Sequence, residues 1–475
     1  MGVSFWLAFL AAYILVGSVI ALVSRRSLSK GGAGFYVAGY RLGGFLSAMT
    51  YAATTYSAFM MIGLVGLSYA TGVGALGFEC VYLLSTIMLL TLLAPRIRLM
   101  ASERGWVSPS EMLGDLYGSR CLELLVTVVY LLALIPYVTA QFVGVGSLFE
   151  GAGSSYVMGV GLGVVIVLVW SALAGVWSVA ATDAFQGLWM ISSCILLLAW
   201  FFTSLLPKAG IGLQEALGSL GSSGYLGIRP PWSLSVFIAF TLPWMFFALT
   251  NPQVLQRLFM PRDRKALERM IVGFSSFGLA YTVMVVLLGL FARALTMKGF
   301  LPDLSSSRDL VTPTILSMAP PLLASAVLTG IIAASISTID SIVLSLASCI
   351  ETSAKKRRVA GIRILVLTGV AGASALLSLL KPGFVVELSV LSSLLLLPLA
   401  PLVILGVMFP EKMRGHGIAA TLSLLAGVLL GLTEALRVGA RKALIETILG
   451  LPLPVWTLLL SLLVLTVCMF VIKRR

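Results

Sequence analysis

The sequence predicts an all-α, polytopic membrane protein of about 13 transmembrane helices, on three observations. Of its 475 residues, 59% are apolar and 11% charged, with a mean hydropathy of +1.07, where a soluble chain carries roughly a quarter charged residues. The apolar stretches run to roughly 20 residues, the length that crosses a bilayer as a helix. They also lack the period-two alternation of a membrane barrel strand. Lipid offers backbone groups no partner, so helices that satisfy their own amides and carbonyls are the remaining solution.

The formal charge of +14 does not point to nucleic acid, because the basic residues form no extended polar domain. They sit in short loops between apolar spans, where they set orientation. The cysteines Cys80, Cys121, Cys194, Cys349 and Cys468 show no CxxC spacing, and are expected as buried small hydrophobes. His416, between Lys412, Arg414 and the next span, is expected in a solvated loop. The first stretch lacks a positive N-terminal region and is followed by Arg25, Arg26 and Lys30. It reads as a transmembrane helix rather than a cleavable signal.

Hydropathy places spans near 3–23, 45–69, 74–95, 121–146, 156–176, 180–206, 232–255, 270–296, 320–350, 361–380, 384–409, 417–436 and 452–472. With the N-terminus outside, the internal segments carry most of the 32 Lys and Arg. Among them are the Arg257–Arg269 and Lys355–Arg363 groups. That bias predicts a multi-pass plasma-membrane protein with its N-terminus outside and its C-terminus cytoplasmic.

Two spans read as interrupted. The second holds Ala52-Ala53-Thr54-Thr55-Tyr56-Ser57, followed by Gly63 and Gly66; the seventh holds Pro243 and Asn251-Pro252. Proline removes a donor and clashes with the preceding turn, freeing backbone groups inside the membrane. A single Gly or Pro often only kinks a transmembrane helix. These breaks, however, fall five spans apart in helices of opposite direction. The pattern predicts a five-plus-five inverted repeat with discontinuous helices and a binding site near the midplane. Residues 1–44 then form the first helix and a cytoplasmic loop. The two repeats are 45–206 and 207–409, the latter with its preceding external loop, and two further helices occupy 410–475.

A desolvated sodium ion needs several oxygen ligands. Unwound backbone supplies carbonyls, and hydroxyls on one helical face supply more. In span nine, Ala334, Ser337, Thr338, Ser341, Ser345 and Ser348 follow three- and four-residue steps along one stripe. Taken alone, those hydroxyls fit a helix-packing seam equally well. Asp340 on their flank separates the two readings, since a carboxylate inside an apolar span is costly and marks ion or proton pathways. Asp183, opening span six, is its expected partner, although Asp183-Ala184-Phe185-Gln186 also resembles a helix cap. Depth agrees: Ser337 lies roughly 20 Å, and Ala53 roughly 12 Å, from the internal ends of their spans.

These residues bear a resemblance to the sodium/solute symporter family, the group of proline, pantothenate and sodium-glucose carriers with the LeuT-type arrangement. The resemblance rests on Phe35-Tyr36-Val37-Ala38-Gly39 with Leu42-Gly43-Gly44, Thr182-Asp183-Ala184-Phe185-Gln186, Asn251-Pro252-Gln253 with Arg257, and Ala333-Ala334-Ser335-Ile336-Ser337-Thr338-Ile339-Asp340-Ser341. It implies a sodium site built from the carbonyls of Ala53, Tyr56 and Ala334 and the hydroxyls of Ser337 and Thr338. It also implies a second cation or proton position at Asp183, Ser337, Asp340 and Ser341. A solute cavity at Thr54, Ser57, Tyr137, Gln141, Trp244 and Phe247 is implied as well. The proline carriers have an aspartate where this chain has Thr55, which weakens a proline assignment.

The expected function is sodium-coupled symport of a small organic solute, an amino acid or carboxylate, by alternating access. Na+ is the coupling ion, membrane lipid the surroundings, and no organic cofactor, nucleic acid or obligatory protein partner is expected. No basic residue is expected at midplane depth. A proton-coupled carrier of the same fold is the alternative. A membrane sensor would need a signalling module, and the chain ends at Arg475 directly after its last span. An enzyme would need a polar catalytic cluster, and the sequence offers no His/carboxylate or Cys/His set at suitable depth.

Overall fold

The computed structural model describes residues 3–24, 32–151, 153–173, 176–354 and 360–471. Arg25, Arg26, Lys30 and the Lys355–Arg358 run, which bear on orientation, lie outside the described residues. In chain order the helices used below are α1 (Val3–Ser24), α2 (Gly44–Thr55), α3 (Val65–Thr71), α4 (Gly74–Arg104), α5 (Arg120–Gly151), α6 (Tyr156–Leu173), α7 (Val176–Trp200) and α8 (Leu234–Met245). They continue with α9 (Arg264–Met297), α10 (Pro321–Ser353), α11 (Ala360–Leu379), α12 (Val385–Leu396), α13 (Leu399–Met408), α14 (Gly417–Val438) and α15 (Leu453–Val471). Two short strands, Thr447–Ile448 and Leu451–Pro452, pair antiparallel before α15.

Among the described residues, seven helices are long and apolar enough to cross a membrane, or nine if each of two bent pairs is one span. The other four predicted spans appear as shorter apolar helices, Ala8–Ser24, Tyr156–Leu168, Leu234–Met245 and Ile364–Leu379. Helix length therefore does not establish the thirteen crossings that hydropathy predicts.

The first break falls where the sequence places it. After α2, Tyr56 turns extended (φ −92°, ψ 105°), and its amide donates to the Ala52 carbonyl at 2.8 Å. The chain resumes in a π-helical turn, Phe59–Leu64, leading into α3 at a bend of 51°. Thr54, Thr55 and Ser57 favour this stop: β-branching crowds a helix, and short hydroxyl side chains bond local amides instead. The Ser57 hydroxyl does so, accepting from the Phe59 amide at 3.2 Å.

The predicted seventh span is split into three pieces, α8, Phe247–Thr250 and Pro252–Leu255, with Asn251 extended between the last two. Pro252 starts its piece because a first-turn proline loses no helical hydrogen bond. A further bend was not expected from the sequence: α12 and α13 meet at 50° around Leu397-Pro398.

Helix α10 is the centre of the bundle. Every residue from Val327 to Cys349 is buried, as befits a helix apolar on all sides but one hydroxyl stripe. Helix α9 runs along both halves of the broken helix. At the end of α2, Tyr56 stacks between Phe274 (5.7 Å) and Phe277 (5.8 Å). Along α3 the Ser68 hydroxyl donates to the Val286 carbonyl at 2.9 Å. Gly289 permits this approach, since a Cβ there would lie 2.3 Å from the Val65 carbonyl oxygen.

Four expectations are corrected. Asp183 does not cap a helix: α7 begins at Val176, so the aspartate sits two turns inside it. His416 is buried rather than solvated, because its loop is drawn against the end of the short helix Pro109–Tyr117 that precedes α5, with the Gly415 amide donating to the Tyr117 carbonyl at 3.1 Å. Cys121 is exposed, at the second residue of α5, and only Cys194 and Cys349 are fully buried. Arg257, counted above as an internal loop residue, is 1% exposed inside the bundle.

Candidate ion and solute site

The break in the second span and the stripe on α10 meet. The Ser337 hydroxyl donates to Asp183 Oδ1 at 2.5 Å, and the Thr338 hydroxyl approaches the Thr54 carbonyl at 3.5 Å. Thr54 Oγ1 and Ser341 Oγ lie 2.9 Å apart. Ala53, Tyr56 and Ala334 are buried beside these groups, with Ala53 and Tyr56 flanking the turn where α2 ends. Three segments distant in sequence thus present hydroxyl, carbonyl and carboxylate oxygens to one another, a donor set suited to a hard cation.

Arg257 completes this cluster; the sequence pattern shows it only in a family motif and an internal basic group, not among the site residues. It lies in the one-turn 3-10 helix Gln256–Phe259, directly after Pro252–Leu255. Its Nη2 donates to Ser341 Oγ at 2.5 Å and reaches Asp183 Oδ2 at 3.4 Å. Nε donates to Thr50 Oγ1 at 3.2 Å, Nη1 to the Gln253 carbonyl at 2.8 Å, and Thr50 in turn donates to Asp183 Oδ2 at 2.5 Å. Arg257 and Asp183 are each 1% exposed. Burying either charge alone would be prohibitive, so the pair and its hydrogen bonds stand or fall together. Asp340 is also buried on α10, next to Ser341.

The aromatic residues expected around a solute also come together. Trp244 and Phe247 stack at 4.8 Å with planes 8° apart, and Tyr137 approaches Phe247 edge-on at 6.1 Å. Phe59, Phe78 and Tyr82 extend the group. Gln141 has a different engagement. Its Oε1 accepts from the Ala58 amide at 3.2 Å, and its Nε2 donates to the Tyr137 carbonyl at 3.3 Å. It therefore satisfies one of the amides that the broken helix leaves free.

Glu79 is a second buried residue that the sequence pattern did not single out. It stands between Phe78 and Tyr82 on α4, is 1% exposed, and neither carboxyl oxygen has a hydrogen-bond partner among the described residues. A buried polar group without a partner costs about 1–3 kcal/mol or more, which favours a position where a ligand supplies the missing bond. The signal was available: Glu79 is the one acid in the apolar 74–95 stretch, and intramembrane carboxylates mark function.

A helix broken in mid-span, opposite a buried hydroxyl-bearing helix and beside a cluster of buried aromatic rings, is an arrangement found in membrane carriers. The comparisons with known proteins agree. Residues 35–417 match the Sodium:solute symporter family, and the chain belongs to that family. It is 27% identical over 341 residues to the sodium/pantothenate symporter of Escherichia coli strain K12, covering 70% of this chain and 68% of that one. It is 24% identical over 350 residues to the sodium/proline symporter of Staphylococcus aureus strain JH9, covering 70% and 64%. Among solved structures, a substrate-bound, outward-open Na+-coupled sialic acid symporter superposes with a TM-score of 0.77 at 18% identity, over 99% of this chain and 98% of that one. Mhp1, a nucleobase-cation-symport-1 family transporter, does so at 0.56 and 13% identity, over 92% and 95%. The fold is thus the inverted-repeat carrier fold, and the function is sodium-coupled solute symport.

Proposed function

We propose that one sodium ion binds between the carbonyls of Ala53, Tyr56 and Ala334 and the hydroxyls of Ser337 and Thr338, and drives inward movement of a small organic solute. The observation that carries this reading is the contact of the Thr338 hydroxyl with the Thr54 carbonyl at the helix break. It joins the two half-sites that the ion would bridge. The segments 45–206 and 207–409 act as the two repeats, with the N-terminus outside and the C-terminus cytoplasmic. Coupling is reciprocal: whatever factor sodium adds to solute affinity, solute adds to sodium affinity.

The solute occupies the space bounded by Thr54, Ser57, Tyr137, Trp244 and Phe247, with Gln141 holding the wall behind it. An amino acid or related carboxylate suits it, the bound sodium compensating the carboxylate. Glu79 accepts from the solute's amino or hydroxyl group. In proteoliposomes, Glu79→Gln is expected to raise the solute KM about tenfold, the value of a hydrogen bond to a charged group. The sodium dependence of protein stability should stay as it was. An unaltered KM removes Glu79 from the site.

Ser337→Ala combined with Thr338→Ala removes two of five proposed ligands. At about 1–2 kcal/mol for each oxygen lost, the sodium concentration for half-maximal uptake should rise by about thirty- to a thousandfold. Uptake under a sodium gradient, compared with a proton gradient alone, measures this. Sodium dependence equal to that of the unaltered chain rejects the site.

A further inference from the structure

The position expected for a second cation already holds a positive charge. Of the residues that define it, Asp183 and Ser341 are both bonded to the Arg257 guanidinium. Ser337 and Thr50 direct their hydroxyl protons at the same carboxylate. We infer that Arg257 is this carrier's own cation at that position, so that transport couples to a single sodium ion. The inference rests on the sodium site proposed at Ser337 and Thr338, and adds the stoichiometry.

Three observations support it. An ion sharing oxygens of Asp183 and Ser341 would sit within about 4 Å of the guanidinium, where like charges disfavour each other by roughly three orders of magnitude in a protein-like dielectric. The guanidinium is also anchored: the Gln253 carbonyl and the Thr50 hydroxyl hold its other nitrogens. Moving it aside would break four contacts on four chain segments. Finally, Arg257 and Asp183 are equally buried, so the pair is already neutral and no further cation is needed to offset the aspartate. A planar fork with five donors suits this role, since it engages Ser341, Asp183, Thr50 and Gln253 at once.

The test is equilibrium binding of radiolabelled sodium to the purified full-length chain in nanodiscs, counted per chain. The unaltered chain should bind one ion. Arg257→Gln, which frees Asp183 and Ser341, should bind two, and Asp183→Asn with Arg257→Gln should return to one. Arg257→Lys, which keeps a tethered cation, should bind one, and serves if Arg257→Gln does not fold. Two ions in the unaltered chain, or one in folded Arg257→Gln, overturns the inference and leaves the proposed sodium site standing. No saturable binding in the unaltered chain rejects the sodium site itself.

Discussion

Replacing Asp183 by alanine while Arg257 remains will destabilise the protein by about 3–5 kcal/mol. The guanidinium would stay 1% exposed in the bundle with its carboxylate gone. Thr50 and Ser337 would also lose the acceptor that both now share. Asp183→Asn paired with Arg257→Gln will recover most of that loss, because removing both charges leaves neither one desolvated without a partner. The difference is coupling between the two sites, which a double-mutant cycle isolates. Unfolding of the purified chain in detergent, followed by melting temperature or denaturant midpoint, reads it. Losses of Asp183→Asn and Arg257→Gln alone that simply add up in the double variant would show that the pair contributes no such coupling.

The second large effect lies in the segment between α9 and α10. Arg308 pairs with Glu387 on α12, both nearly buried, and its guanidinium lies 4.4 Å from the centre of the Phe384 ring. The Arg308 carbonyl presses on Gly66, where a Cβ would meet it at 2.4 Å. Thr312, a few residues on, donates to the Met61 carbonyl in the π-helical turn. One short segment therefore connects the far half of the broken helix to the start of α12. Glu387→Ala should cost about 3–5 kcal/mol for the same reason as above. It should also loosen the bend after Tyr56, read as faster amide exchange over Phe59–Thr71. Exchange confined to α12, with the broken helix unchanged, would refute that link.

Asp309 works alongside this pair, its Oδ2 accepting from the Val385 amide at the start of α12 at 2.9 Å. Burial pushes its carboxyl up to about 6. The folded state therefore holds this proton more tightly than the unfolded chain, and the group favours folding more as pH falls from about 6 towards 4.

Much of this was legible in the sequence, and what was not has identifiable physical causes. The break at Thr54–Ser57 and the stripe from Ser337 to Ser341 could be read because hydroxyls and a carboxylate stand out in lipid-length apolar runs. Arg257 was misplaced because charge counting assigns every basic residue near a span's end to a loop. Its side chain instead turns back into the bundle, towards a carboxylate that precedes it by 74 residues. No one-dimensional pattern records such a pairing. Glu79 was passed over because a single acid scarcely alters a window average. The bend at Leu397-Pro398 was invisible because proline in a membrane helix frequently leaves it nearly straight. Asp183 was misjudged by a smaller error, a helix start set four residues late.

Gln141 has a wider consequence. Its amide oxygen settles the Ala58 N–H from α5, a helix outside the broken one. The corner of the chain at which solute and ion would meet is thus braced from the side. Part of the ordering that a flexible corner would demand of its first ligand has been completed during folding. Ligands entering a braced corner surrender less of their binding energy to arranging it. The mutual help between sodium and solute must then come chiefly from the contacts they share, and less from one ligand stiffening the chain for the other.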